Sequence, residues 1–454
     1  MDFENIEKSF DVASLTRQGV SVWPILKSYL IGIQDETPII KEPSSSVLKI
    51  LLYNLFSDIV TSKNLKKSKH WVFTNSERRY HINHTSFDRI TSGLLGYIKD
   101  YVLFENPVPK GRTKKESILT GEYYMGMSWV FLAQFLAQKI LKKPKIENIE
   151  ALESYLGKDL TKIKNVFHRI CAGERVYDYL IKKYKPKAIF VVCYYSNFEV
   201  IKAAKKNKVP IIELQHGMVS TGHRAYYFSK DYGKALMPDY FLSYGQYSAE
   251  VVVKGHIVPK TNVLNYGYSF LDEVANRLKL STELEQIKKG FKKVICITGQ
   301  LPVTDEPLLT MINEAAILFP DICFIYKPRF NDSTTITSNH PNFIQNFEMN
   351  TYELLKYCDY HLTVYSTCAM ECLALGTPTI SIDIKGFYSK FLKPLLHDNP
   401  FNFVASDSKG LIKLLKSLEK TEFDQHTVTE SISPIFSKMV SSKAFSDFFD
   451  KVVV

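Results

Sequence analysis

The fold is easiest to recognise in residues 360–380, which read YHLTVYSTCAMECLALGTPTI. The apolar run His361–Val364 predicts a buried strand, and residues 368–375 then form a short predicted helix. Gly376 closes this helix, and Thr379–Ile382 predicts the next strand. A strand, a helix and a second strand in such close succession are typical of a βαβ unit in a parallel sheet.

The same alternation of short apolar runs and helical stretches begins near residue 187. A charged predicted helix over residues 272–290 divides it into two series. This order predicts an α/β protein with two Rossmann-like, doubly wound domains that face each other across a cleft. The other predicted strands are Ala188–Cys193, Ile211–Leu214, Tyr240–Ser243, Val263–Tyr266, Val294–Thr298 and Cys323–Tyr326.

The N-terminal part of the chain has a different pattern, in which helical stretches dominate and only Trp71–Thr74 predicts a strand. Because 454 residues exceed what one core normally accommodates, we predict two domains, over residues 1–280 and 291–435. A final helix within residues 436–454 is expected to cross back to the first domain. The stretches predicted to be mostly helical are 1–65, 85–105 and 121–183, and 105–117 is a predicted loop.

The chain carries 58 Lys and Arg against 47 Asp and Glu, and this net charge of +11 favours an anionic partner. Nucleotide phosphates, an anionic glycan, anionic lipid head groups and nucleic acid all qualify. The clusters Lys63–Lys69 and Lys110–Lys115 are either solvated loops or a contact with a membrane surface. No apolar run approaches the roughly 20 residues that span a bilayer, and the acidic N-terminus does not resemble a signal peptide, so we expect a cytoplasmic protein.

The seven cysteines stand in apolar contexts and form no CxxC pair. Cys368 and Cys372 are four residues apart on a predicted helix and are either a metal pair or, as we favour, small buried side chains. The sequence has no GxGxxG after a strand, no GxxxxGK[ST], no HExxH and no GxSxG, and no DxD motif stands in a suitable loop. These absences argue against a dinucleotide cofactor, a P-loop nucleotidase, a zinc hydrolase and an acyl transferase.

The strongest candidate ligand site lies between the first strand and the helix of residues 360–380. Helix N-termini expose unpaired N–H groups that hold phosphate, and Ser366 or Thr367 can cap the helix and add a hydroxyl donor. Glu371 stands among apolar residues one turn later, where its carboxylate can accept both hydroxyls of a ribose. The alternative for Glu371 is an acid that only complements the helix dipole. Tyr365 completes this candidate nucleotide-binding set.

Two other predicted strands end in candidate ligand-binding residues. Lys327 and Arg329 flank a rigid proline and can neutralise a diphosphate or a departing nucleotide phosphate, unless they belong to an ordinary charged loop. Gly299 and Gln300 follow another strand, where a glycine lets backbone N–H groups approach a ligand. Asp305, a few residues later, suits a helix cap equally well.

Residues 211–228, IIELQHGMVSTGHRAYYF, bring a histidine to the end of a further predicted strand. His216 can act as a general base for an acceptor hydroxyl, or can donate a hydrogen bond to a phosphate or carboxylate. A histidine at a strand end is often structural, but the glycine after His216 suggests close approach of backbone and ligand. Gln215, His223 and Arg224 are secondary candidates for binding the acceptor.

A weaker constellation follows the strand at Trp71–Thr74. Arg78 and Arg79 would suit an anionic acceptor, and Glu77 and Asp88 are possible bases. An arginine pair on an ordinary surface is the alternative.

Strand–QHG, strand–KPR and strand–YST with a glutamate four residues later together resemble the GT-B glycosyltransferases of bacterial surface polysaccharide assembly. The likeness is strongest to the capsule and lipopolysaccharide enzymes that use CMP-linked sugars, such as Kdo and sialic-acid-type transferases. The related CDP-glycerol transferases of teichoic acid synthesis share the pattern. The resemblance covers about residues 187–382 and departs at Arg329, where many members carry histidine.

The resemblance implies that the C-terminal domain binds a nucleotide sugar, preferably a CMP-linked acidic sugar. The N-terminal domain would bind the acceptor, a bacterial surface glycan or its lipid-linked precursor. Lys327, Arg329 and the helix that starts near Ser366 would stabilise the departing phosphate, and His216 would activate the acceptor, without a metal or another cofactor. Peripheral contact with the inner face of the membrane is a further option. We expect no nucleic acid as a partner.

Three other functions stay open. The first is a glycerol- or ribitol-phosphate transferase on the same fold. The second is a UDP-sugar 2-epimerase-like isomerase, which would need several carboxylates near the sugar. The third is a non-enzymatic binder of anionic polymers, for which binding would depend strongly on salt.

Overall fold

The computed structural model of the chain describes residues 3–30, 44–74, 79–82, 85–107, 123–329, 340–346 and 348–453. These residues form two compact units, Met1–Ser269 together with Met439–Val454, and Phe270–Lys438. Each unit contains one parallel sheet with helices around it. Two antiparallel strand pairs, β1 (Thr16–Arg17) with β2 (Val20–Ser21) and β4 (Arg79–Ile82) with β5 (Thr85–Asp88), belong to the first unit.

The first unit is built on a seven-stranded sheet whose neighbouring strands are all parallel. Its strands are β3 (His70–Thr74), β6 (Tyr101–Glu105), β7 (Tyr124–Gly126), β8 (Ala188–Val192), β9 (Ile211–Leu214), β10 (Tyr240–Ser243) and β11 (Val263–Asn265). Their spatial order is β11-β10-β9-β8-β3-β6-β7. The chain therefore builds one half of the sheet outward from β3 and then returns to the centre with β8, as in a Rossmann fold.

The second unit repeats this design with six parallel strands. They are β12 (Lys293–Thr298), β13 (Ile322–Lys327), β14 (Phe343–Gln345), β15 (Tyr360–Thr363), β16 (Thr379–Ile382) and β17 (Asn402–Ala405). Their order is β14-β13-β12-β15-β16-β17. The central strands are buried along almost their whole length, which explains why the sequence shows short continuous apolar runs and no alternation.

The α-helices of the described residues lie before, between and after these strands. They are Phe3–Ser9, Trp23–Leu30, Ser44–Thr61, Ser92–Leu95, Ser128–Ile140, Ile149–Leu156, Thr161–Tyr184, Phe198–Lys206, Gln246–Lys254, Ser269–Arg277, Thr282–Gly290, Pro302–Leu318, Thr351–Tyr357, Cys368–Ala374, Phe387–Phe391, Lys393–Leu396, Ser408–Leu418, Gln425–Glu430 and Ser442–Val453. Among the described residues, no helix combines the length and the apolar character needed to cross a bilayer.

The final helix, Ser442–Val453, packs on the first unit. The ring of Phe445 lies 4.6 Å from that of Tyr97, and the ring of Phe449 lies 5.8 Å from that of Phe190. Aromatic pairs at such centroid distances stabilise a helix against its neighbours beyond the burial of area alone. This helix therefore completes the core of the first unit.

The helical prediction for residues 85–105 is wrong. This segment contains β5, one helical turn at Ser92–Leu95 and β6, which pairs with β3 inside the first sheet. The strand β6 depends on pairing with distant residues, and a local pattern does not reveal that pairing. In the stretch 121–183 the mostly helical prediction is confirmed by three helices, but β7 precedes them. Of the predicted loop, residues 108–117 lie outside the described residues, as does the cluster Lys110–Lys115.

The single charged helix predicted over residues 272–290 is in fact two helices, Ser269–Arg277 and Thr282–Gly290. Ser281 begins the second one, because its hydroxyl oxygen accepts a hydrogen bond from the backbone N–H of Leu284 at 3.2 Å. Serine is a preferred residue at the start of a helix, so a new helix begins here. The charge pattern alone does not reveal this break and predicts one continuous helix.

A buried histidine ties together three strands of the second sheet. His361 lies in β15, with Nε2 2.8 Å from the Thr298 hydroxyl of β12 and Nδ1 3.0 Å from the Thr379 hydroxyl of β16. The side chain is fully buried, and burial lowers the pKa of His361 to about 3. The neutral imidazole is therefore the form that the folded unit contains at neutral pH.

We expect His361 to make the second unit sensitive to acid. Because its folded pKa lies below its ordinary value of 6.5, the unfolded chain takes up the proton first, and stability is lost as pH falls from 6.5 towards about 3. One such group contributes a slope of up to about 1.4 kcal/mol per pH unit. Hydrogen exchange of β12, β15 and β16 at several pH values measures this slope. A His361→Asn variant with the same slope as the wild type would contradict the assignment.

Candidate functional site

The sequence-predicted nucleotide-binding residues lie at the carboxyl edge of the second sheet. The strands β12 and β15 are neighbours from which the chain proceeds in opposite directions, so the gap between their carboxyl ends is the topological switch point. Gly299 and Gln300 follow β12, Tyr365–Thr367 follow β15 closely, and Lys327 ends the adjacent β13. Open α/β sheets bind their ligands in the crevice at this position.

Asp305, which the sequence left open between a ligand-site residue and a helix cap, organises this edge. It is buried in the first turn of the helix Pro302–Leu318, where Oδ1 accepts the backbone N–H of Gln300 at 2.8 Å and Oδ2 accepts the Tyr326 hydroxyl at 2.9 Å. Burial raises the pKa of Asp305 above its ordinary value of 3.8, although these hydrogen bonds and the nearby Arg329 oppose the shift. The carboxylate thereby fixes the loop after β12 against β13.

Gly299 owes its place to this network. A Cβ atom at Gly299 would lie 2.6 Å from the Tyr326 hydroxyl oxygen and 2.7 Å from Oδ2 of Asp305. Packing within the protein therefore accounts for the glycine that the sequence linked to ligand approach. In the first unit, Gly217 differs, because nothing lies within 4 Å of a Cβ built there.

These two glycines give a matched pair of variants. We expect Gly299→Ala to lower the free energy of unfolding by about 1–3 kcal/mol, since the methyl group must displace Asp305 or Tyr326. The control Gly217→Ala is expected to stay within about 0.5 kcal/mol of the wild type. Urea unfolding followed by circular dichroism measures both. Equal losses at the two positions would show that packing against Asp305 is not the cause.

The two cations after β13 differ in environment. Arg329 is exposed, and its Nη1 donates a hydrogen bond to Oε1 of Gln300 at 3.1 Å. Lys327 is half-buried, and burial lowers the pKa of its ammonium below the ordinary value of 10.5 although Glu348 opposes the shift. The predicted residues Gln300 and Arg329 are thus in direct contact.

The loop after β15 contributes an aromatic ring and two hydroxyls. The half-buried Tyr365 stacks on Phe387, with ring centroids 4.9 Å apart. Burial raises the pKa of Tyr365 above its ordinary value of 10, and the charge of Arg329 opposes this shift. The Ser366 oxygen accepts the backbone N–H of Cys368, the first residue of the helix Cys368–Ala374, at 3.2 Å. Thr367 occupies the N-cap position, is exposed and makes no side-chain cap hydrogen bond.

The side chain of Glu371, in the first turn of that helix, is buried. Its Oε1 accepts the hydroxyl of Tyr352 at 3.1 Å, and the Tyr352 ring packs edge-on against Phe270 at 4.9 Å. Tyr352 therefore positions the carboxylate that the sequence assigned to a ribose.

In the first unit, Gln215 holds the loop that carries His216. Its amide nitrogen donates to the carbonyl oxygen of Gly217 and to the hydroxyl of Ser248, both at 2.9 Å. Its amide oxygen accepts the backbone N–H of Tyr244 at 2.7 Å. These contacts with the loop and with the end of β10 give Gln215 a positioning role.

His216 lies beside a buried acid that the sequence analysis overlooked. Glu213 is fully buried in β9, and its Oε1 accepts the Tyr226 hydroxyl at 2.6 Å. The Tyr226 oxygen in turn lies 3.4 Å from Nδ1 of His216, and the Tyr195 hydroxyl lies 3.3 Å from Nε2. Because Tyr226 donates its proton to Glu213, its oxygen accepts from Nδ1, which leaves the Nε2 lone pair on the side of Tyr195. A glutamate inside the apolar strand IIEL was the signal for this acid.

His223 and Arg224 line the same aromatic cluster. The His223 ring lies 4.7 Å from that of Tyr226, and the Arg224 guanidinium lies 5.9 Å from the ring centre of Tyr195. Burial, with the charges of Arg224 and Lys27, lowers the pKa of His223 to about 4. His223 is therefore neutral at physiological pH and offers a hydrogen bond, not a charge.

The weaker constellation after β3 lies largely outside the described residues, which do not include Glu77 and Arg78. Arg79 begins β4. Asp88 is buried, where its Oδ2 accepts the Thr74 hydroxyl and its Oδ1 accepts the backbone N–H of Thr91 at 2.9 Å. These contacts give Asp88 a structural place in the turn that follows β5.

The cysteines are free, and six of the seven are buried, with Cys368 half-buried. Among the residues that the structure describes, no group of three or more His, Cys, Asp or Glu side chains is arranged to hold a metal ion.

Solved structures share this fold at low sequence identity. One is a candidate UDP-N-acetylglucosamine 2-epimerase from Listeria monocytogenes, with a TM-score of 0.55 and 13% identity over 85% of this chain and 97% of that chain. The UDP-GlcNAc 2-epimerase of Methanocaldococcus jannaschii has a TM-score of 0.52 and 12% identity over 84% and 99% of the two chains. The glycotransferase of kitacinnamycin has a TM-score of 0.51 and 11% identity over 85% and 100%. No family profile and no curated protein matches the sequence. The two Rossmann-type sheets and these neighbours show a GT-B-type fold.

Proposed function

We propose that this chain is an enzyme that acts on a nucleotide sugar and transfers the sugar to a hydroxyl group. The favoured donor is a CMP-linked acidic sugar, and the favoured acceptor is a bacterial surface glycan or its lipid-linked precursor. The observation that carries the proposal is the position of Gln300, Lys327, Arg329 and Tyr365 at or just beyond the carboxyl ends of β12, β13 and β15, where Arg329 and Gln300 are in direct contact. Cations and hydrogen-bond donors at this position suit a nucleotide phosphate.

In the proposed reaction, the acceptor oxygen forms a bond to the anomeric carbon, and the bond from that carbon to the phosphate oxygen breaks. The nucleotide leaves with the electron pair, so negative charge grows on its phosphate. Lys327 and Arg329 would stabilise this charge, and fixed cations do so without reorganisation as the reaction proceeds. The proposal requires no metal for this step.

The acceptor proton needs a base, and we assign this role to His216. The contact of Nδ1 with Tyr226 leaves Nε2 as the basic nitrogen, and Glu213 fixes this arrangement through the Tyr226 hydroxyl. A histidine oriented by a buried acid is a common design for general bases.

The test incubates the protein with CMP-, CDP-, UDP- and GDP-linked donors, each with and without an acceptor extract, and measures free nucleotide. The expected result is CMP release from a CMP-sugar that requires the acceptor. CMP release from CDP-glycerol would favour polyol-phosphate transfer instead. No turnover with any donor, together with salt-dependent polymer binding, would favour the non-enzymatic binder.

Buried carboxylates favour the 2-epimerase-like isomerase as a second candidate. That reaction calls for acids near the sugar, and Glu213 and Asp305 each lie beside predicted site residues, His216 in the first unit and Gln300 in the second. The same assay separates the candidates. An isomerase converts UDP-N-acetylglucosamine to a product of equal mass without any acceptor, and proton NMR of the sugar ring detects this change.

A further inference from the structure

Two neighbouring helices of the first unit expose apolar residues and bury polar ones. In the helix Ser44–Thr61, Leu48, Leu52 and Phe56 recur at every fourth position and are exposed, Phe56 to 82%. On the same helix Asn54 and Asp58 are buried. A helix on the surface of a soluble domain normally turns its apolar stripe inward, so this helix is reversed.

The helix Ser128–Ile140 buries Val130 in the core near its start but exposes apolar side chains along its second half. Phe135, Leu136 and Ile140 are exposed, Ile140 to 84%, whereas Gln134 is buried. Outward-facing apolar side chains on two adjacent helices form more apolar surface than scattered single residues do. Such a surface marks a contact with another apolar phase or with a partner.

The two helices are held together by a buried acid. Asp58 lies near the end of the first helix, and its Oδ2 accepts the backbone N–H of Ser128 at 3.0 Å and also the Ser128 hydroxyl. Gly126 is required there, because a Cβ at that position would lie 1.8 Å from Oδ1 of Asp58. The exposed faces are therefore fixed by internal contacts on their inner side.

The exposed charges of these two segments have one sign. Residues 44–67 and 128–145 contain four lysines each, all of them exposed, and their only acid is the buried Asp58. The ammonium of Lys139 lies 5.3 Å from the ring centre of Phe135, so cation and apolar group share the same surface. A second copy of the chain would bring like charges together across a two-fold interface, which opposes self-association there.

We propose that these two helices form a docking surface for an anionic lipid bilayer. The apolar side chains would enter the boundary between head groups and acyl chains, and the lysines would contact anionic head groups. The surface lies on the membrane and does not span it, in keeping with the lack of a spanning helix among the described residues. The inference does not depend on the reaction that the chain catalyses.

Vesicle flotation tests the surface directly. The wild type is expected to float with vesicles of phosphatidylcholine and phosphatidylglycerol, to float poorly with phosphatidylcholine alone, and to be released in part by salt. The double variant Phe56→Asp/Ile140→Asp is expected to bind the anionic vesicles at least roughly tenfold more weakly than the wild type. The control Ile317→Asp, which changes an exposed apolar residue of the second unit, is expected to bind like the wild type.

A second pair of variants tests the charges. Lys63→Glu/Lys67→Glu should weaken binding to the anionic vesicles, and Lys409→Glu/Lys413→Glu on the second unit should not. Circular dichroism confirms that each variant is folded. The proposal is overturned if the wild type does not float, if the control variants lose binding equally, or if light scattering finds a dimer that Phe56→Asp dissociates.

Discussion

Replacing His216 by asparagine is expected to lower the turnover number of the proposed transfer reaction roughly 10²–10⁴-fold, the usual contribution of a general base. Asparagine retains hydrogen-bonding groups but takes no proton from the acceptor hydroxyl. The KM for the nucleotide sugar should change little, because the base acts on the acceptor in the transition state. Nucleotide release at saturating donor, with and without acceptor, measures the loss.

His256 provides the matched control for this variant. It is an exposed histidine of the same unit with a φ of 61°, a conformation that asparagine tolerates. His256→Asn should leave turnover within about twofold, since a surface substitution there changes stability by only about 0.5 kcal/mol. Tyr226→Phe removes the link between His216 and Glu213 and should cause a smaller loss than His216→Asn, again with the KM unchanged. Full activity of His216→Asn would remove the base assignment.

Replacing Lys27 by methionine is expected to lower the free energy of unfolding of the first unit by about 3–5 kcal/mol. Lys27 and Glu7 form a buried ion pair at 2.7 Å, and Lys27 also donates to the carbonyl oxygen of Tyr227 at 2.8 Å. Trp23 and the backbone N–H of Ser229 donate to the same carboxylate, both at 2.8 Å. Without Lys27, Glu7 stays as a buried charge that has lost its cation.

The three tryptophans, Trp23, Trp71 and Trp129, all belong to the first unit, so their fluorescence during urea unfolding reports on that unit alone. The exposed pair of Lys8 and Glu4, also at 2.7 Å, is the control, and Lys8→Met should cost no more than about 0.5 kcal/mol. Equal losses in the two variants would show that burial does not set the strength of the Lys27 pair.

The ion pair also predicts a pH dependence. Burial alone would raise the pKa of Glu7, but hydrogen bonds from Lys27, Trp23 and Ser229 outweigh it, and the pKa lies below the ordinary value of 4.5. A carboxyl whose pKa is lowered in the folded state stabilises the fold fully above pH 4.5. This stabilisation is lost as pH falls through the folded pKa. The Lys27→Met variant should therefore lose less stability than the wild type between neutral pH and this acidic range.

The sequence sufficed for the strand ends and failed where side chains act through distant partners. Short apolar runs located β9, β12, β13 and β15, and hence the polar residues that follow them. Glu213 stood in one of those runs, but its bond to Tyr226 depends on a loop that returns over the sheet. Asp305 was visible as a cap, whereas its contact with Tyr326 requires β12 and β13 to be adjacent.

The reversed helix Ser44–Thr61 was harder still. The sequence of Ser44–Thr61 predicts a helix with an apolar stripe, and burial of that stripe is the usual outcome. The buried contact of Asp58 with Ser128 and the burial of Asn54 show that the polar side faces the protein. Periodicity gives the existence of a stripe, and tertiary contacts decide which side is inside.

The return of the helix Ser442–Val453 to the first unit makes the second unit an insertion within the first in chain order. Two peptide crossings join them, at residues 269–270 and 438–439. A fragment that stops at Ser269 would lack the helix that covers the rings of Tyr97 and Phe190. Because those rings would be exposed, we expect this fragment to aggregate. Residues 270–438 are contiguous and can be expressed separately. Separate expression of the first unit requires a short linker that joins residue 269 to residue 439.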